Sequence, residues 1–190
     1  MKPEQMHILL TGASGGIGRE SARQLAAAGA RIIALGRQRG RLEQLLSELP
    51  PSRLGPHQAF TADLGDAQQC RQLLENLMAL EQPPNVLINM AGTNQLRLFD
   101  QQDPVQVRQI IDTNFTNTVL LTHTLLPLLR LRPEAMIINV GSIFGSIGFP
   151  GYVAYSSSKF ALRGFSQALG RELSDTPIQV KYFAPRATRT

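Results

Sequence analysis

Two side chains four positions apart, Tyr155 and Lys159 in the run YSSSK, carry the most informative chemistry in this 190-residue chain. The surrounding stretch reads as a helix, and residues four apart share one helical face, so the lysine projects beside the phenol. Free tyrosine titrates near pH 10, too high for an efficient acid or base at neutral pH. An ammonium a few Å away favours the phenolate and brings the group into range. The pair could therefore give a proton to, or take one from, a substrate oxygen. Thirteen residues earlier Ser142 ends an apolar run, placed to hydrogen-bond the same oxygen and stabilise charge developing on it. Each residue alone also has a plain structural use: a serine after a strand as a turn residue, a Tyr/Lys pair as surface packing.

A second chemical signal lies near the N-terminus. TGASGGIG, Thr11 to Gly18, follows a strand-like run and opens a helix-like one. Glycine permits the tight turn and the close approach of backbone to a pyrophosphate, and the helix start adds unpaired N–H groups and partial positive charge. Because Gly15 and Gly16 are adjacent, the motif fits either TGxxxGxG (Gly12, Gly16, Gly18) or TGxxGxxG (Gly12, Gly15, Gly18), and it does not choose between them. At the end of the second strand, ALGRQRGR puts Gly36 and Arg37 where an NAD site would hold an acid against the ribose 2′-OH. A guanidinium pairs with a 2′-phosphate instead, which favours NADP(H) over NAD(H). Arg19, at the start of the first helix, is a candidate second cation.

The elements that must position these groups alternate from end to end. Strand-like runs occupy 7–11, 31–35, 57–62, 85–89, 135–140 and 178–183, with helical stretches near 17–28, 38–49, 66–81, 104–131 and 153–174. The strands are continuous apolar runs, as in a parallel sheet covered on both faces. The expectation is α/β: a single Rossmann-type domain over 1–190, a doubly wound parallel sheet with helices on both faces. Gly29 is expected to close the first helix and Asp66 to cap the third.

Composition narrows the function classes. No apolar run approaches the roughly 20 residues of a membrane span, and MKPEQMHILLTG passes straight into a strand without a cleavable leader, so a cytoplasmic protein with no membrane partner is expected. The net charge of +5 comes from scattered arginines whose one cluster, RQRGR, sits where a cofactor phosphate would be read, so no nucleic-acid partner is expected. Cys70 lies on a helical stripe with Leu73, Leu74, Leu77 and Leu80 and reads as a small buried hydrophobe. His7, His57 and His123 have no acidic or cysteine partner at ligand spacing, so no metal is expected.

Further motifs occur in an order that resembles the short-chain dehydrogenase/reductase family: ADL after the third strand, NMAG after the fourth, DTNFTNT in the long helix, GSIFG after the fifth strand, then YSSSK, then APRATRT. NMAG, Asn114 and the interval from GSIFG to YSSSK look like the family's shorter, roughly 250-residue TGxxxGxG branch, in preference to the longer epimerase/dehydratase branch. The resemblance implies that Tyr155, Lys159, Ser142 and Asn114 are catalytic, with Lys159 also holding the nicotinamide ribose and Asn114 positioning a water. It implies cofactor contacts at Gly12, Ser14, Gly16, Ile17, Gly18, Arg37, Asp63, Leu64, Asn89, Ala91, Gly92, Tyr155, Lys159, Pro185, Thr188 and Thr190. Arg186 departs from the family, which has glycine there. The implied activity is hydride transfer between NADP(H) and a small-molecule ketone or secondary alcohol in a homodimer or homotetramer; the alternative is a non-catalytic dinucleotide-binding regulator or scaffold, or an epimerase/dehydratase-like relative. Relatives commonly continue past this point with a seventh strand and a substrate-covering segment, so the chain is expected to be truncated. Leu96, Phe144, Ile147 and Phe149 suggest an apolar substrate.

Overall fold

The structure, a computed structural model, describes residues 1–186. Its elements run β1 (His7–Thr11), α1 (Gly16–Ala27), β2 (Arg31–Gly36), α2 (Arg39–Glu48), β3 (Gln58–Thr61), α3 (Ala67–Met78), β4 (Val86–Asn89), α4 (Pro104–Ile111), α5 (Asn117–Arg130), β5 (Ala135–Val140), α6 (Val153–Glu172) and β6 (Ile178–Phe183). All strand pairings are parallel, in the order β3-β2-β1-β4-β5-β6. After β3 the chain crosses back to lay β4 beside β1. That reversal opens a crevice at the carboxyl ends of the strands, where ligands of doubly wound sheets bind.

Both sheet faces are covered, which explains the unbroken apolar runs. Ile8, Leu10, Ile32 and Ala34 pack with Ala22 and Ala26 of α1 and Leu42 and Leu45 of α2. The intervening Leu9, Ile33 and Leu87 turn to the other face, against Leu73 and Leu77 of α3, Leu121 and Leu125 of α5, and Leu169 of α6. Cys70 of α3 is buried, with its thiol donating to Leu64 O at 3.6 Å, and desolvation pushes it above the usual range. It behaves as packing.

Helix ends follow local chemistry. Gly29 takes φ +101° after α1, and the Gly29 and Ala30 N–H groups reach back to the Ala26 and Leu25 carbonyls at 2.9 and 3.0 Å. Asp66 caps α3 by accepting from the Gln68 and Gln69 N–H groups. Residues 104–131 do not form one regular helix. A π-helical turn over Asp112–Thr116 separates α4 from α5. Such a turn widens the backbone spiral by one residue, and here it directs Asn114 inward, wholly buried.

Candidate active site

The glycine turn resolves into three required positions and one free one. Gly12 has φ +69°, and a Cβ there would meet Ala91 backbone at 2.9 Å. Gly16 has φ +50°. A Cβ on Gly18 would run into the Gly12 carbonyl oxygen. Gly15, with φ −165°, is extended, exposed and open on every side. The geometry is therefore TGxxxGxG. Thr11 fixes the turn to its neighbour: its Oγ1 accepts the N–H groups of Met90 and Ala91 at 2.9 and 3.0 Å, joining the ends of β1 and β4. These close approaches, together with the free N-terminus of α1, form a cradle suited to a dinucleotide pyrophosphate.

The cleft above this turn has a volume of about 920 Å³. Ser14, Ile17, Arg37, Asp63 and Leu64 line one end together with the glycines; Ala91 and Gly92 line its middle. Ser142, Tyr155, Lys159 and Pro185 border the other end, with Arg186. Thr188 and Thr190 lie outside the described residues. Arg37 is exposed at the carboxyl end of β2. Arg19 is committed elsewhere: it forms a two-point ion pair with Glu48 at the end of α2, which Arg23 also joins at 2.7 Å. Glu48 is consequently held below the usual carboxylate range, chiefly by its hydrogen bond to Arg19.

Two residues assigned to the site from their motifs stand behind it. Asn89 does not face the cleft. It is buried at the end of β4, donating to Thr122 Oγ1 of α5 at 3.1 Å and to Asn139 Oδ1 of β5 at 2.8 Å; Asn139 in turn donates to Ser166 Oγ of α6 at 2.9 Å. Strand parity explains this placement. Asn89 and Asn139 are register partners two residues beyond Leu87 and Ile137, and share their face towards α5 and α6. The result is a buried polar ladder that fixes the ends of β4 and β5. Asn114 accepts from Thr93 N–H at 2.7 Å and donates to Thr93 O at 2.8 Å and Ser158 Oγ at 3.0 Å. It fastens the loop after β4 to α6 one residue before Lys159.

Lys159 is 5% exposed, with Nζ donating to Val140 O at 2.9 Å and standing 5.8 Å from the centroid of the Tyr155 ring. Burial pulls its ammonium down from 10.5 to about 8. The folded chain therefore releases this proton near pH 8, whereas an unfolded chain keeps it to about 10.5. Between those values the unfolded state binds more protons, so this group makes the fold more stable as pH rises, by an amount on the order of 3 kcal/mol. Lys159→Met should remove that rise, read as urea-unfolding free energies across the alkaline window. A variant whose stability climbs as steeply as the parent's would show that the buried ammonium is not its source.

Ser142 Oγ accepts the Phe144 N–H at 3.2 Å, capping a short 3-10 turn at Ile143–Gly145. Beneath that turn lies Tyr182 of β6, a residue no motif singled out. Its hydroxyl points to Ser142 O at 3.4 Å, and its ring end occupies the space that a Cβ on Gly141 or Gly145 would need. Neither glycine has positive φ; room for Tyr182 requires Gly141, and room for both Tyr182 and the Lys159 carbonyl, which a Cβ would meet at 2.8 Å, requires Gly145. The glycines flanking Ser142 were the only visible trace of this neighbour.

Comparison with known proteins agrees with the geometry. A family model described as short chain dehydrogenase matches residues 6–190. Dehydrogenase/reductase SDR family member 7B of Danio rerio is 31% identical over 189 residues, covering 96% of this chain and 61% of its own length. Sulfoacetaldehyde reductase 2 of Chromohalobacter salexigens is 34% identical, covering 96% and 73%. A crystal structure of a short chain dehydrogenase from Shigella flexneri complexed with NADP superposes with TM-score 0.91 at 32% identity, covering 98% of this chain and 79% of that one. The chain spans about three fifths of the length of the vertebrate relatives it matches.

Proposed function

The chain belongs to the short-chain dehydrogenase/reductase family of oxidoreductases, and on that premise we propose that it transfers hydride between NADP(H) and a ketone or secondary alcohol. One observation carries the reading: Tyr155, Lys159 and Ser142 border the same cleft whose other end is the glycine cradle. Gly12, Gly16 and Gly18 would hold the pyrophosphate of a dinucleotide, which would supply hydride to a carbonyl carbon or accept it from an alcohol.

The chain's own residues handle the oxygen. Tyr155 gives its phenolic proton to the carbonyl oxygen as electron density gathers there, and recovers it in the reverse direction. The Ser142 hydroxyl already accepts from Phe144 N–H, which leaves its own proton to donate to the same oxygen. At neutral pH the Lys159 ammonium, titrating at about 8, remains largely protonated. It faces the negative charge that Tyr155 carries once its proton has left. Asn114 holds α6 and the loop after β4 in register, so that Lys159 and Gly92 meet at the cleft.

The choice of NADP(H) is part of the same proposal. Gly36 and Arg37 leave no carboxylate at the end of β2 to repel a 2′-phosphate, and the exposed guanidinium lines the cleft. Hydrogen bonds to charged groups contribute roughly 1.5–3 kcal/mol, so Arg37→Asp should weaken NADPH binding about 10- to 100-fold while sparing NADH. Equal losses for the two cofactors would mean that Arg37 does not read the phosphate. The activity itself is tested by following NADPH absorbance against a panel of ketones and alcohols. Absence of turnover with every member, in both directions, would overturn the assignment.

A further inference from the structure

Seven of the thirteen exposed large hydrophobic side chains among the described residues lie in two short segments, 93–103 and 143–153. Both border the cleft: Thr93 and Asn94 line it from one side, Ile143, Phe144 and Tyr152 from the other. The segments are tied together where Arg97 N–H donates to Gly151 O at 2.9 Å and where Leu96 packs over Gly151, whose φ of +78° and lack of a Cβ make room for it. Scattered exposed apolar residues need no explanation, but a concentration at the mouth of a polar-ended cleft marks a surface that is covered in use.

The rings give this surface a direction. Phe144 meets Tyr155 edge-on at 6.2 Å, and Phe149 stacks on the Phe144 ring at 5.2 Å with planes 13° apart. Tyr152 closes the group at 5.1 Å from Phe144. A continuous aromatic wall thus leads from the proposed proton donor outward to Phe149, which is 52% exposed. Leu96, 67% exposed, packs beside Gly151, two residues along the chain from Phe149.

We infer that the wall from Tyr155 through Phe144 to Phe149, extended by Leu96 beside Gly151, is a substrate subsite for a ketone bearing a long or bulky hydrocarbon substituent. The inference rests on the reductase reading above and names its substrate class. The carbonyl sits at Tyr155 and Ser142 while the hydrocarbon lies along the rings, removing their exposed faces from water. A small or highly charged carbonyl compound would use the polar end and leave this surface wet.

The test is a ladder of methyl ketones from 2-butanone to 2-decanone, reduced by the full chain with NADPH. Each buried methylene is expected to raise kcat/KM about fourfold, over several steps. Phe149→Ala and Leu96→Ala, both at exposed positions, should flatten the ladder, lowering kcat/KM for 2-decanone far more than for 2-butanone. A flat ladder in the parent chain overturns the subsite while leaving the reductase reading intact. So does a ladder that neither substitution alters, since the surface would then be covered by protein. If no ketone is reduced at any length, the reductase reading fails. Calorimetric binding of the matching 2-alkanols with NADP+ then reads the subsite without turnover: affinity climbing with chain length and falling in Phe149→Ala supports it, and affinity independent of length overturns it.

Discussion

Replacing Tyr155 with phenylalanine is expected to lower kcat/KM for carbonyl reduction by about 10²- to 10⁴-fold, the range that one positioned proton donor contributes. The substitution removes a single oxygen. The half-buried ring remains, with its edge contact to Phe144 at 6.2 Å and its neighbour Tyr152 at 6.0 Å, so the start of α6 keeps its packing. The glycine cradle lies at the other end of the cleft and is untouched, so NADPH affinity, measured by titration, should survive. Loss of turnover with intact cofactor binding is the signature of a missing proton at the substrate oxygen. Unchanged turnover would remove Tyr155 from the mechanism, and joint loss of turnover and cofactor binding would mean that the phenol serves architecture instead.

Two glycines three positions apart in the phosphate turn should respond very differently to the same methyl group. Gly18→Ala forces a Cβ against the Gly12 carbonyl, where the first turn of α1 packs on the strand–helix bend. Overpacking of this kind costs typically about 1–3 kcal/mol. The backbone cannot yield here without also shifting Gly12, which is itself wedged against Ala91. Cofactor affinity should fall with stability, because the same N–H groups form the cradle. Gly15→Ala meets open space at an extended φ, and its unfolding free energy should stay close to the parent's. Urea unfolding and NADPH titration of both variants decide the matter. Equal damage at Gly15 would restore the TGxxGxxG alternative that the glycine motif taken alone leaves open.

The six strands were legible because a sheet covered on both faces needs unbroken apolar runs, and the helices because Gly29 and Asp66 end and begin them by local hydrogen bonding. Tyr155 and Lys159 were legible because a fixed helical period converts spacing into proximity. Face was harder to read. In a strand apolar on both sides nothing in the pattern says which side a terminal polar residue takes, so the NMAG motif by itself does not reveal that the Asn89 amide runs to Thr122 and Asn139. The fate of Arg19 was equally hidden, because its partner Glu48 lies on another helix 29 positions away.

The sequence by itself determined the doubly wound α/β frame, the phosphate-binding turn and the Tyr155/Lys159 pair, since each follows from contacts between residues near one another along the chain. Tertiary structure alone decided which glycines are obligatory, because that depends on the approach of Ala91 and Gly12 backbone. It alone stripped water from Lys159 and set Tyr182 beneath the Ser142 turn, 40 positions away in the chain. It also gathered the rings of Phe144, Phe149 and Tyr152 into one wall beside Tyr155. Burial and steric exclusion arise only when separate segments close on the same space, and no local pattern encodes which segments those will be.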